Sequence, residues 1–276
     1  MTAGLPATTA LPAVSTAVRS GGKLFLAGYS QGGYVAMATH RAMQLAGISV
    51  RASAPMSGPY ALAAQTDAAF YGRVQFGSTL FGALLTSSYQ NVYRNIYSAP
   101  GDMFEPAYAS GIESLLPGPD VATLLASGKL PEYALFSSTP PTAPSGSALQ
   151  ALLAASTPAH TGTAMDAVYA IGFGTHNLLT NGARRAYLED ALLHPDGAIP
   201  TPGNGLPAAT PQHPLRVATR LNDLRGWSPS APVLLLWWRD DATVPFALNS
   251  RAMGACGQAC PAGRSACSMS IRPKWL

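Results

Sequence analysis

Five consecutive residues, Gly28-Tyr29-Ser30-Gln31-Gly32, match the pattern G-x-S-x-G. This pattern is typical of a nucleophile elbow, in which a sharp strand-to-helix turn presents a serine hydroxyl above a sheet. The glycines at positions 28 and 32 would permit the strained backbone and the close approach of strand and helix. The backbone N–H of Gln31 would be one of two donors to an oxyanion. The alternative is an ordinary turn serine, since so short a pattern also arises by chance.

A second candidate lies more than 200 residues later, in the segment WRDDATVP, which contains Asp240 and Asp241. An acid in a catalytic triad accepts a hydrogen bond from the imidazole and holds its tautomer. The order serine first, acid later is that of α/β-hydrolases. We predict Asp241 as the acid and keep Asp240 as the alternative. The competing interpretation is a surface aspartate pair in a turn.

Three short apolar runs bounded by turn residues predict the strands that position these candidates: Lys23–Tyr29, Ile48–Ala54 and Pro232–Trp238. A helical pattern over Gln31–Ala46 separates the first two. Strand, helix and strand within about 30 residues form a βαβ unit, which implies a parallel sheet. Open α/β sheets carry their sites at the carboxyl ends of the strands. We therefore expect an α/β fold with Ser30 and Asp241 at the same sheet edge.

Between the second and third runs the composition changes to Ala, Leu, Pro, Gly and Ser, which predicts a mostly helical insertion. Its candidate helices are Ala61–Phe70, Phe81–Tyr97, Val121–Ala126 and Asn181–Leu193, and residues 138–147 read as a loop. The expected division is residues 1–57 for the nucleophile-bearing βαβ part, 58–222 for the insertion, 223–253 for a core strand and acid loop, and 254–276 for an irregular tail.

Three blocks carry a family resemblance: LFLAGYSQGGYVAMATHRAMQ, ASAPMSGPYAL and PVLLLWWRDDATVPF. They resemble bacterial α/β-hydrolases of the secretory-lipase, lysophospholipase and esterase type, and they cover about a sixth of the chain. The resemblance implies a partial α/β-hydrolase parallel sheet with a helical cap insertion that shapes an acyl pocket. It also implies Ser30 as nucleophile, Asp241 as acid, and serine-dependent hydrolysis of carboxylic esters.

The chain departs from that family in its histidines. The family places its histidine after the acid, whereas the five here, at positions 40, 160, 176, 194 and 213, all precede Asp241. His40 lies ten residues beyond Ser30 in the predicted helix, about 15 Å along its axis, and cannot serve as base. His213 and His176 remain candidates, although ordinary cap histidines are the competing interpretation. The prediction is therefore an ester hydrolase that is inactive without its histidine; the alternative is a catalytically dead fragment or binding module.

The two ends suggest a reason for this departure. Only 22 residues precede Lys23, whereas the family has several strands before the nucleophile strand, so we expect a chain truncated at its N-terminus. The tail from residue 254 is biased to Arg, Cys, Gly and Ser without strand or helix periodicity. Reading its codons from the third base permits a strand-like sequence, so a shifted reading frame is one hypothesis, and a genuine irregular tail is the other.

The composition of the chain argues against several classes of binding partner. The net charge of +4 is spread without a Lys/Arg run, which argues against a nucleic-acid partner, and no apolar stretch reaches the length of a membrane span. The N-terminus is a poor signal peptide, so the localisation stays open. All three cysteines follow residue 255, with no histidine near them to complete a zinc site. We expect no metal or cofactor, and a small-molecule acyl or aryl ester as substrate.

Overall fold

The computed structural model describes residues 21–116, 118 and 120–258, and only the backbone of residues 255–258. The predicted irregular tail (254–276) therefore lies mostly outside the described residues; its first five residues, 254–258, are helical rather than irregular. The core begins with strand β1 (Phe25–Tyr29), helix α1 (Gln31–Leu45) and strand β2 (Ala52–Met56). β1 and β2 are parallel, with Phe25 opposite Ala52 and Tyr29 opposite Met56. The predicted βαβ unit and the α/β fold class are confirmed.

Helix α1 buries one face against this sheet. Its buried residues are Gly33, Ala36, Met37 and His40, at the three- and four-residue spacing of a single helix face. Two of the four lack a large side chain, so the first turns of the helix can approach the sheet closely. On β1, in contrast, the side chains of Phe25 and Tyr29 are 62% and 60% exposed.

The third predicted strand runs parallel to β2 on the side opposite β1. Isolated parallel bridges join Ser53 to Val233 and Met56 to Leu236. The Leu234 N–H donates to the Ser53 carbonyl, and the Leu236 N–H donates to the Pro55 carbonyl. The predicted neighbourhood is therefore right. The prediction of a continuous strand over 232–238 is wrong, because the pairing is confined to these bridges.

The boundaries of β2 also differ from the prediction. Ile48 and Val50 favoured a strand from residue 48 on β-propensity, but the strand begins at Ala52 and continues to Met56. Gly47 adopts a φ of +71° after the helix, and Ile48 is 52% exposed. Backbone pairing to both neighbours, rather than β-branched side chains, sets the position of this strand.

We use "cap" for residues 58–222. Its helices are α2 (Leu62–Phe70), α3 (Ser78–Tyr93), α4 (Pro106–Ala109), α5 (Val121–Ala126), α6 (Ala148–Ala155), α7 (Asp166–Ile171), α8 (Asn181–Leu193) and α9 (Pro214–Leu221). Two-residue strands β3 (Phe136–Ser137) and β4 (Phe173–Gly174) pair in parallel, 3₁₀ turns cover Pro100–Asp102 and Ile112–Ser114, and helix α10 (Ser250–Gln258) follows the cap. Residues 138–147 contain neither helix nor strand, as predicted.

The helix predictions were most accurate where a side chain caps the N-terminus. α5 and α8 have the predicted bounds, and the side chains of Asp120 and Thr180 accept hydrogen bonds from N–H groups of their first turns. α2 is correct to one residue. α3 was placed three to four residues late: it begins after Gly77 and ends at Tyr93, before Arg94, which adopts a left-handed φ of +61°.

Two clusters of buried apolar side chains lie in the described part of the chain. The larger is built from cap residues between Ala68 and Ala218 and includes Phe104, Leu178 and Leu188. The smaller packs under the sheet and consists of Met37, Tyr60, Leu224, Val233, Leu235 and Met253. The division of the chain at residues 58 and 222 stays a prediction.

A buried cation joins three cap helices. The Arg216 guanidinium on α9 contacts Asp67 on α2 at 3.0 Å and Asp190 on α8 at 2.7 Å. Its Nη2 also donates to the His194 carbonyl at 2.8 Å, and the Tyr187 hydroxyl donates to Asp67. These hydrogen bonds offset the large cost of removing the charges from water.

The structure predicts an acid-sensitive step in cap stability at His213, whose ring packs on Tyr187. Burial lowers the pKa of His213 to about 4, although Asp190 opposes the shift. Because the folded-state pKa is below the unfolded value, the unfolded chain takes up this proton first. The contribution to stability is complete above about pH 6.5 and is lost as the pH falls towards 4.

We therefore expect His213→Phe, which keeps the ring but cannot titrate, to resist acid better than the parent. Between pH 7.5 and pH 4.5 the parent should lose roughly 1–2 kcal/mol more of its free energy of unfolding, a value that allows for partial exposure. Urea titrations at both pH values measure this difference. His160→Phe, at an exposed position, is the control. Equal losses in His213→Phe and the parent would refute the assignment.

Candidate active site

Ser30 occupies a strained turn between β1 and α1. Its backbone has φ 54° and ψ −122°, a conformation that non-glycine residues rarely adopt. The Ser30 N–H donates to the Met56 carbonyl at 2.9 Å, and its own carbonyl accepts from the N–H groups of Gly33 and Tyr34. The Ser30 side chain does not cap the helix. The turn is thus held by backbone bonds on both sides while the hydroxyl is left for other contacts.

The glycines around Ser30 differ in how tightly they are enclosed. A Cβ at Gly28 would lie 2.0 Å from the Gly32 carbonyl oxygen, and one at Gly33 would lie 2.5 Å from the Met56 carbonyl oxygen. A Cβ at Gly32 would meet nothing within 4 Å. Close approach of backbone therefore requires glycine at 28 and 33, whereas position 32 has room for a side chain.

A cavity of about 310 Å³ opens beside this turn. Ser30, Gln31 and Tyr34 line it from the core, and Thr243 and Val244 line it from the loop after the third sheet segment. The cap supplies most of the apolar wall, which includes Leu62, Phe70, Phe81, Leu85, Leu135 and Leu215. The structure thus brings the predicted nucleophile and the end of the predicted acid loop to one cavity, whereas Asp240 and Asp241 are not among the residues that line it.

The two candidate acids have different surroundings. Oδ1 of Asp241 accepts hydrogen bonds from the N–H groups of Thr243 at 2.9 Å and Val244 at 2.8 Å. Asp241 is half-buried, whereas Asp240 is exposed. The Asp241 carboxylate is therefore fixed by the loop that lines the cavity, and its second oxygen is left for another donor.

All five histidines fall within the described residues, and none of them lines this cavity. Nδ1 of His40 lies 2.9 Å from the Ser53 hydroxyl, its ring packs edge-on to Trp227, and burial lowers its pKa. His176 contacts Thr175, and His194 lies 3.9 Å from Asp190. These contacts are what ordinary core and surface histidines make.

The described residues hold no group of three or more His, Cys, Asp or Glu side chains arranged to bind a metal ion. Nor does any helix among them have the length and apolar character needed to cross a bilayer. Cys256 lies in the backbone-only part of α10, while Cys260 and Cys267 lie outside the described residues.

The cavity wall is the part of the site that sequence reasoning missed. Leu62, Phe81 and Leu85 face the cavity, but apolar residues at helical spacing look the same whether they fill a core or line a pocket. The resemblance to capped hydrolases was the signal that pointed to an acyl pocket in this region, and it did not identify the residues.

No protein-family model matches the chain, and no curated protein sequence is significantly similar to it. Several solved structures, in contrast, are similar to the chain. The ligand-bound form of the rice cell wall degrading esterase LipA from Xanthomonas oryzae superposes with a TM-score of 0.60 at 23% identity, over 91% of this chain and 52% of that chain. A second crystal structure of the same esterase gives 0.59 at 25% identity with the same coverage. The chain spans about half the length of these structures. Its fold is α/β-hydrolase-like, with a partial parallel sheet.

Proposed function

We propose that this chain carries the nucleophile, one oxyanion donor and the acid of a serine-dependent carboxylic ester hydrolase. The observation that carries the proposal is the strained turn at Ser30, which opens onto an apolar cavity shared with the loop of Asp241. The matched crystal structures are of an esterase, which supports the same reaction class. Lipase and lysophospholipase activities are narrower forms of the same proposal, which differ in the ester that is hydrolysed.

In the proposed reaction the Ser30 hydroxyl oxygen attacks the acyl carbonyl as an imidazole removes its proton. The carbonyl electrons move to oxygen, where the backbone N–H of Gln31 at the start of α1 stabilises the negative charge. The tetrahedral adduct then expels the alcohol, which takes the proton from the imidazolium. Water hydrolyses the acyl-enzyme by the same steps. Gly28 and Gly32 flank the turn as the proposed elbow residues.

Asp241 is the better candidate for the acid that orients the imidazole. The bonds from the Thr243 and Val244 N–H groups hold its carboxylate in one orientation, which a triad acid needs. Asp240 is exposed and lies one residue further from the cavity loop, so a surface role suits it. The apolar wall of the cavity favours an acyl chain or aryl group over a charged or sugar substrate.

A specific observation also supports a second candidate function, a binding module that holds an ester without turning it over. The described histidines all have other surroundings, so the proposed reaction lacks an imidazole within this cavity. We propose that free imidazole in solution can take that place. The two candidate functions then differ in one measurable property: Ser30-dependent turnover on addition of imidazole.

We expect the chain alone to hydrolyse p-nitrophenyl butyrate no faster than its Ser30→Ala variant. Addition of imidazole should raise the parent rate roughly tenfold above Ser30→Ala under the same conditions, a fraction of what a positioned base provides. The Ser30→Ala variant subtracts the direct attack of imidazole on the ester. A fluorophosphonate probe should label Ser30, located by peptide mass spectrometry, only when imidazole is present.

Equal rates with imidazole, together with binding of butyrate analogues, would establish the binding module instead. Labelling of Ser30 without imidazole would mean that a cap histidine swings in as base. His213→Ala and His176→Ala would then identify it, because only the true base should abolish the labelling.

A further inference from the structure

The loop that carries Asp241 is held by the cap as well as by its own turn. Phe76, in the segment between α2 and α3, donates its N–H to the Ala242 carbonyl at 3.0 Å. Gln65 on α2 donates its Nε2 to the Thr243 carbonyl, also at 3.0 Å. Two consecutive carbonyls of the acid loop therefore accept hydrogen bonds from the cap.

Gln65 in turn is fixed from the other side. Its Oε1 accepts a hydrogen bond from Nδ2 of Asn249 at 2.9 Å. Asn249 is fully buried, donates to the Pro245 carbonyl, and accepts from the Ala61 N–H at the start of α2. Gln65 and Asn249 thus connect the beginning of α2 to the acid loop at Thr243 and Pro245, both of which follow Asp241.

Gln65 binds the same residue, Thr243, whose backbone N–H holds the Asp241 carboxylate. The Thr243 N–H donates to the Asp241 carboxylate, while the Thr243 carbonyl accepts from Gln65. Movement of this residue would release the carboxylate from its fixed orientation. We infer that Gln65 is a positioning residue, which holds the acid loop so that Asp241 points its free oxygen towards the base.

This inference rests on the proposed function, but one of its consequences is independent of turnover. Gln65→Met keeps the length of the side chain and removes both hydrogen bonds. Gln65→Glu can still accept from Asn249 and cannot donate to Thr243. Both variants should speed amide hydrogen exchange at Thr243 and Val244 by about tenfold, since one anchoring hydrogen bond is lost.

Gln44 offers a matched control in the core. Its side chain also bridges a helix to a loop, with Nε2 donating to the Ser228 carbonyl and Oε1 accepting from Ser230, ahead of the third sheet segment. Gln44 does not line the cavity. Gln44→Met should speed exchange near Ser230 and leave Thr243, Val244 and the imidazole-dependent rate unchanged.

The second arm uses the imidazole-dependent, Ser30-dependent rate. Gln65→Met should lower this rate roughly three- to fivefold in the parent, a loss that stays measurable above the Ser30→Ala background, by misplacing the group that orients the base. In an Asp241→Asn background the same substitution should have little further effect, because its target is already removed. A merely structural role would lower the rate by the same factor in both backgrounds.

Unchanged exchange at Thr243 and Val244 in both Gln65 variants would overturn the inference. So would equal rate losses with and without the Asp241 carboxylate. If the parent shows no Ser30-dependent rate, the proposed function fails, and the exchange data alone decide whether Gln65 holds the loop.

Discussion

Replacing Arg216 with methionine is expected to unfold the cap at a much lower urea concentration, with a loss of about 3–5 kcal/mol. The guanidinium is 3% exposed and contacts the carboxylates of Asp67 and Asp190. Its removal leaves two buried carboxylates without their cation, on helices α2 and α8. The cost comes mainly from this uncompensated charge rather than from lost attraction. A urea titration at pH 7.5 followed by circular dichroism measures it.

An exposed pair on α8 provides the matched control. Arg185 and Glu189 form an ion pair at 2.8 Å with both side chains more than 40% exposed. Arg185→Met should cost no more than about 0.5 kcal/mol. Adding Asp67→Asn to Arg216→Met should recover part of the loss, because one orphaned charge is neutralised. Similar urea midpoints for the Arg216 and Arg185 variants would contradict the conclusion that Arg216 stabilises the cap by joining its helices.

Local signals explain what could be predicted from the sequence. The turn at Ser30 was predictable because an apolar run, a G-x-S-x-G pattern and a helical pattern follow one another within about 20 residues. The bounds of α5 and α8 were predictable because Asp120 and Thr180 are good N-cap residues directly before helix formers. In each case the residues that decide the structure are neighbours in the chain.

The features that could not be predicted from the sequence depend on long-range contacts. The position of β2 depends on pairing with β1 and with residues 233–236, which its own composition does not encode. Helices α4, α6, α7 and α9 went unpredicted, since short helices gain most of their stability from tertiary packing. Gln65 and Thr243 are 178 residues apart, and nothing in their local sequence marks the bond between them.

The cavity combines both kinds of information. Ser30 and the acid loop could be proposed from motifs, and the end of parallel strands is where such residues should meet. The hydrogen bonds that distinguish Asp241 from Asp240 depend on how the loop turns at Thr243 and Val244. The two aspartates are adjacent in the sequence, so only the folded geometry separates their surroundings.

The second large effect is expected at Gly28, where the backbone of β1 meets the first turn of α1. A methyl group there would lie 2.0 Å from the Gly32 carbonyl oxygen and 2.3 Å from its carbonyl carbon. Both are main-chain atoms, so relief requires the strand or the helix to move. Gly28→Ala should therefore cost about 3 kcal/mol or more, at the upper end of what overpacking does.

Gly32→Ala is the matched control, because Gly32 lies two residues after Ser30 as Gly28 lies two residues before it. Its Cβ would meet nothing within 4 Å, and the position lies inside α1, where alanine is favoured over glycine by up to about 1 kcal/mol. We expect this variant to unfold at the same urea concentration as the parent or slightly later. The two variants carry the same glycine-to-alanine change at two positions of one motif, so they differ only in the surroundings of the added methyl group.

The two variants should also differ at Ser30 itself. Because the Ser30 N–H donates to the Met56 carbonyl, a displaced turn should expose that amide to faster hydrogen exchange in Gly28→Ala and not in Gly32→Ala. Imidazole-dependent fluorophosphonate labelling of Ser30 should be lost in the first variant and kept in the second. Identical stability and labelling in both would show that the close approach at Gly28 does not hold the turn, and the proposed geometry of the nucleophile would have to be abandoned.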